Sequence, residues 1–63
     1  MNIAGKEAER VGEIWIVKNV RPDEVGILIE LIIAELGTRL VGKPHPTQQD
    51  DDEFWISFHI KDA

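Results

Sequence analysis

The segment at residues 22–36, PDEVGILIELIIAEL, is the longest periodic stretch of the chain, and the other elements have to be arranged around it. Pro22 suits a first helical position, because the N–H group that it lacks would have no helical partner there. Asp23 and Glu24 complement the positive end of the helix dipole, and Gly37 is a typical stop signal just past the last turn. The pattern therefore predicts a helix over residues 22–36.

This helix carries apolar residues on two sides. At about 100° per residue, one broad face is apolar, and we expect it to contact the core. That face contains Val25, Leu28, Ile29, Ile32, Ile33 and Leu36. A second stripe, Ile27, Leu31 and Ala34, follows the spacing i, i+4, i+7 and is separated from the first by glutamates. Two apolar faces predict two surfaces to pack against, and the second stripe is a candidate interface.

The length of the chain limits how much stability it can obtain from its own core. Its 63 residues correspond to a single small domain, near the lower limit for independent folding. No cysteine is present, so disulfides and a thiolate zinc site are both excluded. Oligomerisation is the remaining common source of stability at this size, and we expect a homo-oligomer.

The charge and the amino terminus argue against two classes of partner. The formal net charge is −5, with seven Lys and Arg against twelve Asp and Glu, so a nucleic-acid partner is not expected. The amino-terminal residues lack the basic start and apolar run of a signal peptide. Glu30 and Glu35 interrupt the apolar segment, which is too short to span a bilayer. We therefore expect no membrane partner and a cytoplasmic location.

Two shorter segments flank the helix and predict strands. In residues 10–20 (RVGEIWIVKNV), alternation divides the apolar side chains between two faces. One face carries Ile14, Ile16 and Val20, and the other carries Trp15 and Val17. Residues 38–43 (TRLVGK) predict a second, short strand, which Pro44 and Pro46 would end.

The strongest strand pattern covers residues 53–61 (EFWISFHIK). One of its faces carries Phe54, Ile56, Phe58 and Ile60. The other carries Trp55, Ser57, His59 and Lys61. An uninterrupted apolar face predicts a central strand that lies between two neighbours and is covered by the helix.

These elements predict an α+β fold in the order strand, helix, strand, strand. The first two strands would run parallel through a right-handed crossover, and the third would lie antiparallel between them. The result is a three-stranded, mostly antiparallel sheet with one helix packed on one face. Residues 1–9 are interpreted as a weakly ordered arm and residues 43–52 as a mobile polar loop.

The sheet face away from the helix is the second candidate site. Alternation places Trp15 and Trp55 together there, with His59 beside them, as an aromatic surface for a partner or a flat ligand. Ser57 and His59 are neighbours on one strand, but no third group completes a catalytic constellation, so no catalytic residue is predicted. The acidic run at residues 50–53 lacks the ligand spacing of a calcium loop, and no metal site is predicted.

Two families share this predicted element order at this length. The chain is similar in architecture to dodecins, which stack flavin rings on tryptophan, and this resemblance implies a planar cofactor on Trp15 and Trp55. No dodecin motif matches. Tautomerases of the oxalocrotonate type are similarly short, but they use an amino-terminal proline, and here Asn2 follows Met1.

The first prediction of function is a small non-enzymatic interaction or regulatory protein, without a cofactor, that acts as a homo-oligomer and binds a protein partner. Its interface would use Ile27, Leu31, Ala34, Trp15, Trp55 and His59. One alternative is an oligomer that binds a planar cofactor stacked on tryptophan. The other is an acidic inhibitor that mimics the charge of nucleic acid, using Glu30, Glu35 and residues 50–53.

Overall fold

The structure, a computed structural model, describes residues 1–61 and contains one α-helix and five strands. In chain order the elements are β1 (Asn2–Ile3), β2 (Lys6–Val11), β3 (Ile14–Val20), α1 (Val25–Leu36), β4 (Leu40–Gln48) and β5 (Phe54–Ile60). The sheet order is β1-β2-β3-β5-β4, and every neighbouring pair is antiparallel. The α+β class with one helix on the sheet is confirmed. The three-stranded sheet is wrong, because the amino-terminal residues add two strands.

Those two strands replace the predicted arm at residues 1–9. The turn between β1 and β2 is Ala4-Gly5, and both residues have positive φ, 52° and 77°. Two successive positive φ values are characteristic of a type I′ turn, whose twist matches that of the strands that it joins. Ile3 and Ala8 are both buried in the core, so this hairpin is part of the folded unit.

A second tight turn divides the predicted strand at residues 10–20. Gly12 has φ 63°, and Val11 pairs directly with Ile14 across the turn Gly12-Glu13. Glycine at the first central position is typical of a type II′ hairpin turn. The chain therefore has three strands before the helix and two after it, which differs from the order on which the similarity to dodecins was based.

The two faces of β3 are the reverse of those predicted over its first half. The cross-strand pairs that fix its register are Trp15 with Phe58, Val17 with Ile56 and Val20 with Phe54. Paired residues lie on the same face, and the β5 partners belong to the core side. Trp15 and Val17 therefore face the helix, whereas Ile14 and Ile16 face away from it.

A β-bulge explains this reversal. The register shifts between Val17 and Val20, and Asn19 has φ 58°, a left-handed conformation that Asn tolerates better than most residues. The extra residue changes the phase of the alternation, so Val17 and Val20 both reach the core. Regular alternation placed Val20 with Ile16, and this was the source of the error.

Strand β4 continues through the two prolines that we expected to end it. It is an edge strand, so one of its two sides has no neighbouring strand. Because N–H groups of alternate residues point in the same direction, Pro44 and Pro46 both occupy positions whose N–H would point to that free side, where no partner strand needs it. A register shift between Val41 and His45 adds a bulge, in which Gly42 has φ 73°. The polar loop is thus shorter than predicted, and its mobility stays a prediction.

The helix ends as predicted, but its first three residues form a 3₁₀ turn and the α-helix begins at Val25. A 3₁₀ turn at Pro22–Glu24 leads into α1, and the Gly37 N–H closes the helix on the Ile33 carbonyl. Leu28, Ile32 and Leu36 are buried against the sheet. Ile33 was expected in that contact, but it is 42% exposed, because the buried face is narrower than the apolar pattern.

The apolar face of β5 is confirmed. Ile56 and Phe58 are buried, and Phe54 and Ile60 pack around them. Strand β5 lies between β3 and β4, as its pattern predicted. The core is therefore a single layer between α1 and one side of the sheet, and nothing in residues 1–61 lies over the other side.

Candidate functional site

The outer side of α1 carries the first candidate surface, the helix stripe, formed by Ile27, Leu31 and Ala34. Ile27 is 59% exposed and Leu31 45% exposed, and Ala34 is exposed as well. The amino-terminal Ile3 lies in the core between helix and sheet, and no part of residues 1–61 covers the helix stripe.

The second candidate surface, the outer sheet face, is the side of the sheet away from α1. Its most apolar row crosses four strands through Val11, Ile14, His59 and Val41. Val11, Ile14 and Val41 are exposed, whereas His59 is half-buried between its neighbours. Ile16 and Ser57, which pair across β3 and β5, continue the surface into the next row.

Trp55 lies at the other end of the outer sheet face and is covered by a lysine. The Lys18 Nζ lies 4.7 Å from the centroid of the indole ring and 2.9 Å from Glu9 Oε2. The indole N–H donates to Glu53 Oε2 at 3.0 Å. Its ring face and its N–H group are therefore already engaged by the protein.

Trp15 lies on the opposite side of the sheet. It pairs with Phe58, packs against the core and has the Arg10 guanidinium carbon 5.9 Å from its ring centroid. The expected surface with both tryptophans is wrong, because the bulge in β3 reverses the direction of Trp15. One planar cofactor cannot stack on Trp15 and Trp55 at the same time.

His59 and Ser57 share the outer sheet face, as predicted, but they are not joined as a catalytic pair. The Ser57 hydroxyl donates to the His45 carbonyl of β4 at 3.3 Å. Its proton is thus directed across the strand pair and away from an imidazole base. The arrangement supports a polar patch within an apolar surface.

Several acidic side chains have structural partners. Glu53 Oε2 accepts the Asn19 N–H at 3.1 Å, and Asp50 Oδ1 accepts the Asp52 N–H at 2.8 Å. Glu35 Oε2 accepts the Ala4 N–H at 2.9 Å. These bonds fix the β3 bulge, the loop before β5 and the first hairpin. Among residues 1–61 no three His, Asp or Glu side chains converge as a metal site requires.

Sequence reasoning missed one further feature, a cluster of cations at the end of the sheet near the carboxyl end of α1. Arg10, Arg39 and Lys61 line a cleft there together with Trp15. They come from three distant parts of the sequence, so no local motif connects them. Only the register of β2 and β3 and the helix exit bring them together.

Comparison of the chain with protein-family models, with curated proteins and with solved structures gives no match. Within residues 1–61 no helix is long and apolar enough to cross a membrane, and α1 has only 12 residues.

Proposed function

We propose that the protein is a small, non-enzymatic interaction protein that acts as a homo-oligomer through the helix stripe. The exposure of Ile27 and Leu31 supports this proposal most directly. Fully burying such a side chain is worth about 1.5–3 kcal/mol, so covering the half that each still exposes would add roughly 1 kcal/mol apiece. A domain of this size has only a few kcal/mol of net stability, so a contact that covers both would stabilise it substantially.

The spacing of the helix stripe suits an antiparallel pair of helices related by a twofold axis near Leu31. In such a pair Ile27 lies opposite the partner's Ala34, and the two Leu31 side chains meet at the axis. Large residues then pack against small ones at both ends, which permits close approach of the helices. The same patch serves both copies, as an isologous interface requires.

The edges of the sheet favour association through faces over association through added strands. Pro44 and Pro46 remove two donors from the free edge of β4, and the opposite edge strand, β1, has only two residues. Prolines and very short strands are common devices that prevent edge pairing. Copies of this chain would therefore meet through their apolar faces.

The outer sheet face remains free in such a helix-paired dimer, and we propose that it binds a protein partner in a regulatory role in the cytoplasm. If both faces bound copies of the chain, each copy would contact two others. The assembly would then keep adding copies unless the twofold axes of the two interfaces intersected. Assigning the helix stripe to self-association and the outer sheet face to another protein gives a closed assembly. Val11, Ile14 and Val41 would form the apolar centre of that second contact.

The experiment compares two charge insertions on opposite faces. Leu31→Glu places a carboxylate in the helix stripe, and Ile14→Glu is the matched control on the outer sheet face. Molar mass is measured by sedimentation at micromolar concentration, and circular dichroism verifies that each variant is folded. We expect the wild type and Ile14→Glu to be oligomeric and Leu31→Glu to be monomeric.

Two results contradict the proposal. A monomeric wild type means that the helix stripe stays in water and the protein is not a homo-oligomer. A monomeric Ile14→Glu variant beside an oligomeric Leu31→Glu variant means that the copies meet through the outer sheet face.

A further inference from the structure

A cleft at one end of the molecule gathers cations around an aromatic ring. Arg10 comes from β2, Arg39 from the 3₁₀ turn after α1, and Lys61 follows β5. The Lys61 N–H donates to the Arg39 carbonyl at 2.7 Å, so the backbone holds these two residues side by side. With Trp15 and Ile60 they line a cleft of about 320 Å³.

In the described part of the chain, the three cleft cations lack the carboxylate partners that most other Lys and Arg residues have. Lys6, Lys18 and Arg21 each have a carboxylate oxygen within 4.0 Å, at 3.6, 2.9 and 3.6 Å. Within residues 1–61 no carboxylate lies within 4.0 Å of the charged nitrogens of the three cleft cations.

The position of this cluster is notable in a chain with an excess of acids. The cleft contains three of the seven Lys and Arg residues, although the net charge is −5. Among residues 1–61 only one acid, Glu13, lines the same cleft. Like charges that are brought together without partners repel one another, and a bound anion relieves that repulsion.

One part of the cleft wall is apolar, formed by Trp15 and Ile60. Trp15 is half-buried with the Arg10 guanidinium near its face, and the half-buried Ile60 lies beside it. Aromatic rings stack on indole and guanidinium planes, and guanidinium groups bind carboxylates and phosphates through paired hydrogen bonds. A volume of about 320 Å³ is at the small end of the range of ligand sites.

We propose that this cleft binds a small organic anion that combines a flat ring with a phosphate or carboxylate group. The ring lies against Trp15 and Ile60, and the anion is bound by Arg39 and Lys61, with Arg10 between the two parts. The helix dipole favours a cation at the position of Arg39, but it gives no reason for the presence of Arg10 and Lys61. The proposal does not depend on self-association through the helix stripe.

The test titrates the full chain with four probes. Adenosine 5′-monophosphate and 1-naphthoate carry a ring with a phosphate or a carboxylate, adenosine carries a ring alone, and inorganic phosphate carries charge alone. Trp55→Phe leaves Trp15 as the single fluorophore, so its quenching reports the cleft. We expect saturable quenching by at least one of the two ring anions, weaker binding of adenosine and phosphate, and weakening by salt.

Charge-removing variants locate the site. Arg39→Gln and Lys61→Gln should each weaken binding about tenfold, the effect of losing one charge-assisted hydrogen bond. Lys43→Gln removes the same charge from β4, and because Lys43 does not line the cleft, this variant should leave the affinity within about twofold. Circular dichroism verifies that all three variants are folded.

Three results would overturn the proposal. The first is no saturable quenching by either ring anion at millimolar concentration. The second is an equal loss in Lys43→Gln and the cleft variants, which would indicate unspecific attraction. The third is equal affinity for inorganic phosphate and for the ring anions, which would show that the ring is not recognised.

Discussion

Replacing Val17 with threonine tests the assignment of the two faces of β3. The substitution conserves shape and changes one methyl group to a hydroxyl group. Val17 is 1% exposed and pairs with Ala8 on β2 and with Ile56 on β5, both of them buried. Its position between two hydrogen-bonded strands leaves few backbone acceptors for the new hydroxyl group.

The expected cost follows from this environment. Burying a hydroxyl group without a partner costs about 1–3 kcal/mol in protein mutational data. A domain of this size loses roughly 4–8 °C of melting temperature per kcal/mol. We therefore expect Val17→Thr to lower the melting temperature by about 10 °C at the middle of that range.

Val11→Thr is the matched control, because it makes the same chemical change at a residue that is 53% exposed on the outer sheet face. We expect its effect on the free energy of unfolding to stay within about 0.5 kcal/mol. Urea unfolding followed by circular dichroism measures both variants, at equal protein concentration. Ile16→Thr completes the set, since regular alternation puts Ile16 in the core.

The reasoning fails if Val17→Thr is as stable as the wild type or if Ile16→Thr is the more damaging change. Either result would place Ile16 on the helix side and remove the bulge at Asn19. It would also turn Trp15 towards the outer sheet face and restore the aromatic surface that we expected from alternation.

Two backbone substitutions should stabilise the protein. Ala4→Asn gives the first hairpin an Asn-Gly turn. Asn tolerates the φ of 52° at this position better than Ala does, so the free energy of unfolding should rise by about 1 kcal/mol. If urea unfolding shows no gain in stability, the type I′ turn is contradicted. Gly26→Ala adds a Cβ with nothing within 4 Å of it, so the better helix propensity should add about 1 kcal/mol. A lower melting temperature would show that Gly26 has an unrecognised contact.

The helix and β5 were predictable because each carries a complete local signal. Pro22 and Gly37 mark the ends of the helical segment, and the alternation from Phe54 to Ile60 has no interruption. In both elements one regular period runs along the α-helix or the strand, although the buried face of the helix is narrower than its apolar pattern. Recognising such a period needs no knowledge of the neighbouring elements.

The errors arose where one residue changes the phase of a strand. Ala4 gave no sign of the first hairpin turn, because alanine seldom adopts the positive φ that it has there. Asn19 has a side chain that suits a bulge, but Asn is as common in ordinary loops. Pro44 and Pro46 were expected to end the second predicted strand, although that strand was predicted at an edge of the sheet, where proline is tolerated.

A candidate surface was predictable where it depends on the pattern of one element and was not predictable where it depends on how several elements are placed. The helix stripe depends on one local period, and the structure leaves Ile27 and Leu31 exposed. The pairing of Trp15 with Trp55 depended on the relative phase of two strands, and the bulge destroyed it. The cation cluster around Trp15 depends on four separate segments and has no local signal.

The proportions of the fold explain why so much apolar surface remains open. Five strands span roughly 19 Å across the sheet, whereas one helix is about 10 Å wide. The 12 residues of α1 extend only about 18 Å along their axis. One helix therefore covers about half the width of one face and none of the other. The helix leaves the outer sheet face and the cleft beside Trp15 uncovered. The helix stripe is exposed because it lies on the side of α1 that faces away from the sheet, and no other element of residues 1–61 packs there.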